Sequence, residues 1–118
     1  MNMQVQWRKG DGNLWCRLNT VDLTHRHFDG LEGVYVIWHG GDNPAVLRIG
    51  QGAIREKLTE HRGDVEVQQH DDKLLMVTWA AVPQAERDGV EKYLADELQP
   101  LLGDRFADRS TVEVNLPW

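Results

Sequence analysis

The sequence predicts an α+β domain: a small, mainly antiparallel sheet of three to five strands flanked by helices. Three observations predict it. Two apolar runs, Gly33 to Ile37 and Leu47 to Gly52, are joined by a turn rich in Gly, Asp, Asn and Pro, which is the pattern of a β-hairpin. The second run passes directly into a stretch of helical periodicity, Ala53 to Arg62. A nearly continuous apolar run, Leu74 to Val82, then precedes a second helical stretch opened by Pro83. The resulting order is β-β-α-β-α, with extensions at both ends.

Element by element, residues 1 to 7 suit a short strand, Lys9 to Asn13 a turn and Leu14 to Val21 a further strand. Thr24 to Gly30 reads as a loop. Val34 to Trp38 is β-branched and aromatic, as strands favour. His39 to Pro44 contains Gly-Gly-Asp-Asn-Pro, a strong turn signal, and Ala45 to Ile49 is the partner strand. Ile54, Leu58 and then His61 or Arg62 recur at helical spacing until Gly63. Leu74 to Val82 has no polar face and predicts an interior strand. Val90, Leu94, Leu98 and Leu101 form the apolar stripe of the last helix, whose length Pro100 limits. Val112 to Pro117 suits a final edge strand.

Composition narrows the class. The 118 residues, 41% hydrophobic and 27% charged, suit one globular domain spanning 1–118. The net charge of −6 is a poor match to a free-standing duplex-DNA binder, although a local basic cleft on an acidic body is compatible with it. Cys16 is alone, so neither an internal disulfide nor a cysteine-based zinc site is available. No apolar stretch approaches the length of a membrane span and no signal-peptide pattern opens the chain, so a cytoplasmic location without membrane contact is expected.

The motifs resemble the GIY-YIG nuclease superfamily. Gly33-Val34-Tyr35 stands for its first motif and Arg48-Ile49-Gly50 for its second. Arg55, Lys57 and His61 follow on the predicted helix, and Glu91 falls in Gly89-Val90-Glu91-Lys92-Tyr93-Leu94. Asn115 is the candidate for the family's asparagine. The resemblance covers about residues 31–100, with the two ends as extensions. Two departures stand out: Arg48 replaces the second motif's tyrosine, and no asparagine closely follows Pro100. The helix arginine of the family corresponds to Lys57 or to Arg55, depending on the length of the loop after Gly50.

The resemblance implies a metal-dependent phosphodiesterase acting on nucleic acid, branched or single-stranded. It assigns Glu91 as the ligand of Mg2+ or Mn2+, which would polarise the phosphate. It assigns Tyr35 to the attacking water and a cation to charge that builds on phosphate; read from the helix itself, Arg48, Arg55, Lys57 and His61 could together bind phosphate. It also implies that Tyr35, Lys57, His61 and Glu91 converge on one surface cleft. Tyr35, His61 and Glu91 argue for that reading, whereas Arg48 and the acidic body argue for a different class of function: a catalytically degenerate module that binds nucleic acid, a nucleotide or a protein partner without cutting.

Each candidate has a plainer structural reading. Tyr35 suits a half-buried strand tyrosine with a hydrogen-bonded hydroxyl. Glu91 suits a surface helix glutamate beside Lys92. The basic helix face suits solvated side chains paired with Glu56 and Glu60 one turn away. His25 and His27 alternate as a metal pair would on a strand, but such a pair in a loop segment reads first as loop histidines. Trp38 and Trp79 are expected in the core, whereas Trp7, Trp15 and Trp118 are candidate stacking surfaces for bases or lids over the sheet.

Overall fold

The structure, a computed structural model, describes residues 3–103 and 110–118. Four strands form one antiparallel sheet: β1 (Cys16–Arg17), β2 (Glu32–His39), β3 (Ala45–Ala53) and β4 (Leu75–Ala81), in the order β1-β4-β2-β3. Among the described residues three α-helices accompany it: α1 (Ile54–Arg62), α2 (Val65–Gln68) and α3 (Gln84–Leu98). The α+β class and the flanking of the sheet by helices are as the sequence predicts. β4 is interior, paired with β1 on one side and β2 on the other, as its unbroken apolar run requires.

Side-chain alternation gives the sheet two buried faces. Tyr35, Ile37, Val77 and Trp79 point to one face, where Ile54 and Leu58 of α1, Val67 of α2 and the loop residues Leu18, Leu23 and Phe28 cover them. Val34, Val36, Ile49 and Ala80 point to the other, under Val90, Leu94 and Ala95 of α3 and Val114. Ile54, Leu58, Val90 and Leu94 are fully buried. Each such side chain contributes about 1.5–3 kcal/mol of transfer free energy, so the apolar stripes dock α1 and α3 on opposite faces.

The hairpin carries one irregularity. Ile37 pairs with Arg48 but Trp38 pairs with Val46, so Leu47 is the extra residue of a β-bulge. A bulge breaks strict alternation. Leu47 enters the core on the Tyr35 face, and the Arg48 side chain next to it reaches the same side, beside Asp64.

Three expected elements are shorter or absent. Leu14 to Val21 contributes only Cys16–Arg17 to the sheet, because the chain turns back at once: Val21 N–H bonds the Arg17 carbonyl at 2.9 Å, and Leu18 drops into the core. The terminal strands are reduced to one parallel bridge, Met3 with Val114. Side chains hold these segments instead: the Asn115 amide accepts from Val5 N–H at 2.7 Å and donates to the Val5 carbonyl at 3.0 Å. Met1 and Asn2, in the first of these expected strands, lie outside the described residues. Leu101 is not part of the stripe of α3. The helix ends at Leu98, Gln99 adopts φ 47°, and Leu101 is exposed. Leu101 and Leu102 bond back to the Val46 and Leu47 carbonyls at the bulge. Among the described residues no helix is long and apolar enough to cross a membrane.

Candidate functional site

The centre of the site is a chain of three side chains on the α1 face. Tyr35, on β2, lies across Gly50 of β3, its cross-strand partner. A Cβ at Gly50 would stand 2.2 Å from the Tyr35 hydroxyl oxygen, so only glycine leaves room for the ring there. The hydroxyl lies 2.6 Å from Nε2 of His61 in the last turn of α1. Nδ1 of the same imidazole lies 3.2 Å from Oδ2 of Asp64. With Nδ1 protonated and donating to Asp64, Nε2 accepts from the tyrosine O–H. Asp64 is held in turn as the N-cap of α2, its Oδ1 accepting from Glu66 N–H at 3.1 Å.

Electrostatics sets the resting protonation. Burial pushes the Tyr35 hydroxyl well above its ordinary range, and the Arg48 cation only partly offsets this. Burial also pulls His61 below the usual imidazole range; the hydrogen bond to Asp64 works the other way, and Arg48 adds to the lowering. Burial alone would raise Asp64, but hydrogen bonds from His61 and from the Val67 and Glu66 backbone, with the Arg48 charge, hold its carboxyl below the usual range. The trio therefore rests as neutral tyrosine, neutral imidazole and carboxylate.

Arg48 lies at the rim of this chain. Its Nε is 3.6 Å from Asp64 Oδ2, yet that nitrogen is buried and has no hydrogen-bond partner. Regular alternation from Gly50 puts Arg48 on the Tyr35 face, across from Ile37, and so brings a cation to the relay. Motif matching alone gives Arg48 no such neighbour.

Lys57 and Glu91 lie at a different place, on either side of the end of β3. Lys57 lies over Gly52, where a Cβ would be 3.1 Å from Lys57 Cε and where φ is +129°. Its ammonium is 3.7 Å from Glu60. Glu91 is carried by α3, on the sheet face opposite Tyr35. There the Gln51 amide donates to Asp88 at 2.7 Å and, at 3.5 Å, to Glu91. Burial raises the Glu91 carboxyl, as does the Asp88 charge; the Gln51 amide and Lys57 act to lower it. Glu91 in turn is among the charges that Tyr35 senses. The four residues are therefore not set in one cleft on a single face. They flank the Gly50-Gln51-Gly52 segment from its two sides, with Tyr35 and Lys57 filling the space that side chains at the two glycines would need.

The remaining candidates have structural work. Arg55 is bound to the loop below α1: Nε donates to the Leu23 carbonyl at 2.7 Å, and Nη2 to the His25 carbonyl at 3.0 Å and to Asp29 at 2.7 Å. Arg62 holds the neighbouring Leu18 and Val21 carbonyls. His25 and His27 do not face one another as ligands: His25 Nδ1 accepts from His27 N–H, and His27 Nε2 accepts from the Trp79 indole. Asn115 is occupied at Val5.

For a divalent cation the donor set is sparse. Among the described residues no group of three or more His, Cys, Asp and Glu side chains is arranged to hold a metal. Glu91 and Asp88, one turn before it, share the Gln51 amide as their donor.

Asp64 is the residue that motif reading missed. Its signal is present as a carboxylate three residues after His61, just past the helix-stopping Gly63. Comparison with family profiles, curated proteins and solved structures finds no match for the chain.

Proposed function

We propose that the domain is a divergent GIY-YIG-type phosphodiesterase that hydrolyses nucleic-acid backbones with Mg2+ or Mn2+. The observation that carries this reading is the Tyr35–His61–Asp64 chain, with its 2.6 Å hydroxyl–imidazole contact. A tyrosine that donates its proton to a neutral imidazole keeps oxygen lone pairs free to accept a proton from attacking water. As that proton arrives, the hydroxyl proton passes to His61 Nε2, and Asp64 stabilises the imidazolium. Arg48 and Lys57 supply positive charge from the two flanks, and each can contact a phosphate oxygen. Glu91 would hold the cation, which when bound would polarise the phosphate and assist the leaving oxygen. Arg48 stays protonated, so it serves as a phosphate clamp and not as a base.

A second reading is favoured by burial. Tyr35 is 3% exposed and His61 7%. In this reading the hydrogen-bonded chain is a lock between sheet and helix, and the domain binds nucleic acid, a nucleotide or a protein partner without cutting it.

Incubation with labelled single-stranded and branched DNA and RNA, with Mg2+ or Mn2+, separates the two. The hydrolase reading expects slow cleavage by the wild type, reduced about a hundredfold or more in Glu91→Ala. Products identical in amount for wild type and Glu91→Ala leave the binding module as the better account.

A further inference from the structure

At the end of the sheet away from Tyr35, three tryptophans from distant parts of the chain meet. Trp38 of β2 lies 5.3 Å from Trp15 and 4.8 Å from Trp118, centroid to centroid, and Trp15 and Trp118 are 6.2 Å apart. Two clefts adjoin at Trp15: one lined by Trp15, Trp38 and Trp118, the other by Trp7, Arg8, Lys9 and Trp15. Trp118 is 56% exposed, whereas Trp15 and Trp38 are half-buried beneath it. The Lys9 ammonium stands 4.4 Å from the Trp15 ring centroid.

The segments that carry these groups are fixed. Arg8 N–H bonds the Trp79 carbonyl and the Arg8 carbonyl accepts from Thr78, which pins the chain along β4. The Trp7 indole donates to the Asn115 carbonyl at 2.8 Å, which fixes the approach to Trp118. One exposed indole, Trp118, packed on the half-buried Trp15 and Trp38 and with cations nearby on fixed backbone, has the composition of a stacking platform: the rings take unpaired bases and the cations take phosphates. Arg8 and Lys9 provide the charge complementarity on one side, while Glu97 borders the far cleft.

We infer that the Trp15–Trp38–Trp118 cluster, with Arg8 and Lys9, is a binding site for single-stranded nucleic acid. It is separate from the Tyr35–His61 chain and does not rest on the cleavage reading. Duplex is disfavoured there, because its bases are stacked on each other and the −6 body repels its denser charge.

The test is a titration of metal-free protein with a short oligo(dT) at low salt, followed by tryptophan emission. Saturable quenching is expected, with weaker binding to duplex of the same length. Trp118→Ala should weaken binding about tenfold or more, and Lys9→Gln should weaken it and flatten its salt dependence. Ultraviolet cross-linking of the wild type, which needs no variant to fold, should place thymine on peptides containing Trp15 or Trp118. Cross-links confined to other peptides would overturn the inference. So would unchanged affinity in folded Trp118→Ala, or saturation by a proline-rich peptide or neutral oligosaccharide in place of the oligonucleotide. Because no metal is present, this result and the Glu91→Ala cleavage comparison fail independently.

Discussion

The Tyr35 hydroxyl and His61 Nε2 are 2.6 Å apart, joining the second strand of the sheet to the last turn of α1. Both groups are buried, and the bond leaves each satisfied. Tyr35→Phe removes the donor and strands the imidazole nitrogen. A buried unsatisfied polar atom costs about 1–3 kcal/mol, so chemical denaturation should show a loss of that size. A midpoint unchanged from wild type would mean that the bond contributes nothing to the fold.

Gly50→Ala probes the same contact from the neighbouring strand. The new methyl would overlap the tyrosine ring, whose hydroxyl oxygen lies 2.2 Å from the Cβ position. Strand and ring are both packed, so the overlap has no easy relief. Overpacking of this kind costs typically about 1–3 kcal/mol. The signature to seek is a combined loss of stability and of the Tyr35–His61 coupling, read from the His61 imidazole resonances. Retention of both would place the ring elsewhere.

The titration of His61 has a definite sign. Burial, the larger effect, lowers its folded pKa below the ordinary imidazole value of about 6.5, against the pull of Asp64 and Glu60 and with the push of Arg48. Neutral imidazole is thus favoured by folding. Its contribution to stability is complete above the unfolded value and is lost as pH falls from 6.5 through the folded pKa. His27 is lowered as well, chiefly by burial, and adds to the same trend. Residue-resolved NMR should give His61 a midpoint below 6.5 in the wild type and a lower one still in Asp64→Asn, which removes the anion. A midpoint above 6.5 would contradict the neutral relay.

Arg55 offers a contrast within one helix. Its three hydrogen bonds go to Leu23, His25 and Asp29, so Arg55→Ala should loosen residues 23–29. Limited proteolysis should cut that loop faster, while oligonucleotide affinity stays within about twofold of wild type, since no phosphate contact is lost. A large loss of affinity with no change in proteolysis would return Arg55 to the phosphate-binding face.

Most of the fold was legible because its causes are local. Gly33 to Ile37, Leu47 to Gly52 and Leu74 to Val82 carry their strand signal in residue type and turn chemistry, and α1 and α3 in apolar spacing. The ends were not legible because their order comes from tertiary side-chain bonds: Asn115 grips Val5 across 110 positions of sequence. Tyr35 and His61 were legible as a pair through motif order. Asp64 was not, since it acts through a cap and an imidazole that only the fold brings together. The placement of Glu91 across the edge of β3 from Tyr35 was hidden too, because order along the chain does not say which face a helix covers.

The most direct test of the central claim is the single-turnover cleavage rate of single-stranded or branched nucleic acid with Mn2+, compared between wild type and Tyr35→Phe, with folded fractions matched. The relay predicts a fall of about a hundredfold or more on loss of the one hydroxyl. It also predicts a wild-type rate that declines as His61 becomes protonated at low pH. Equal rates in the two proteins, with the same pH profile, would contradict the assignment of Tyr35 and His61 to the chemistry.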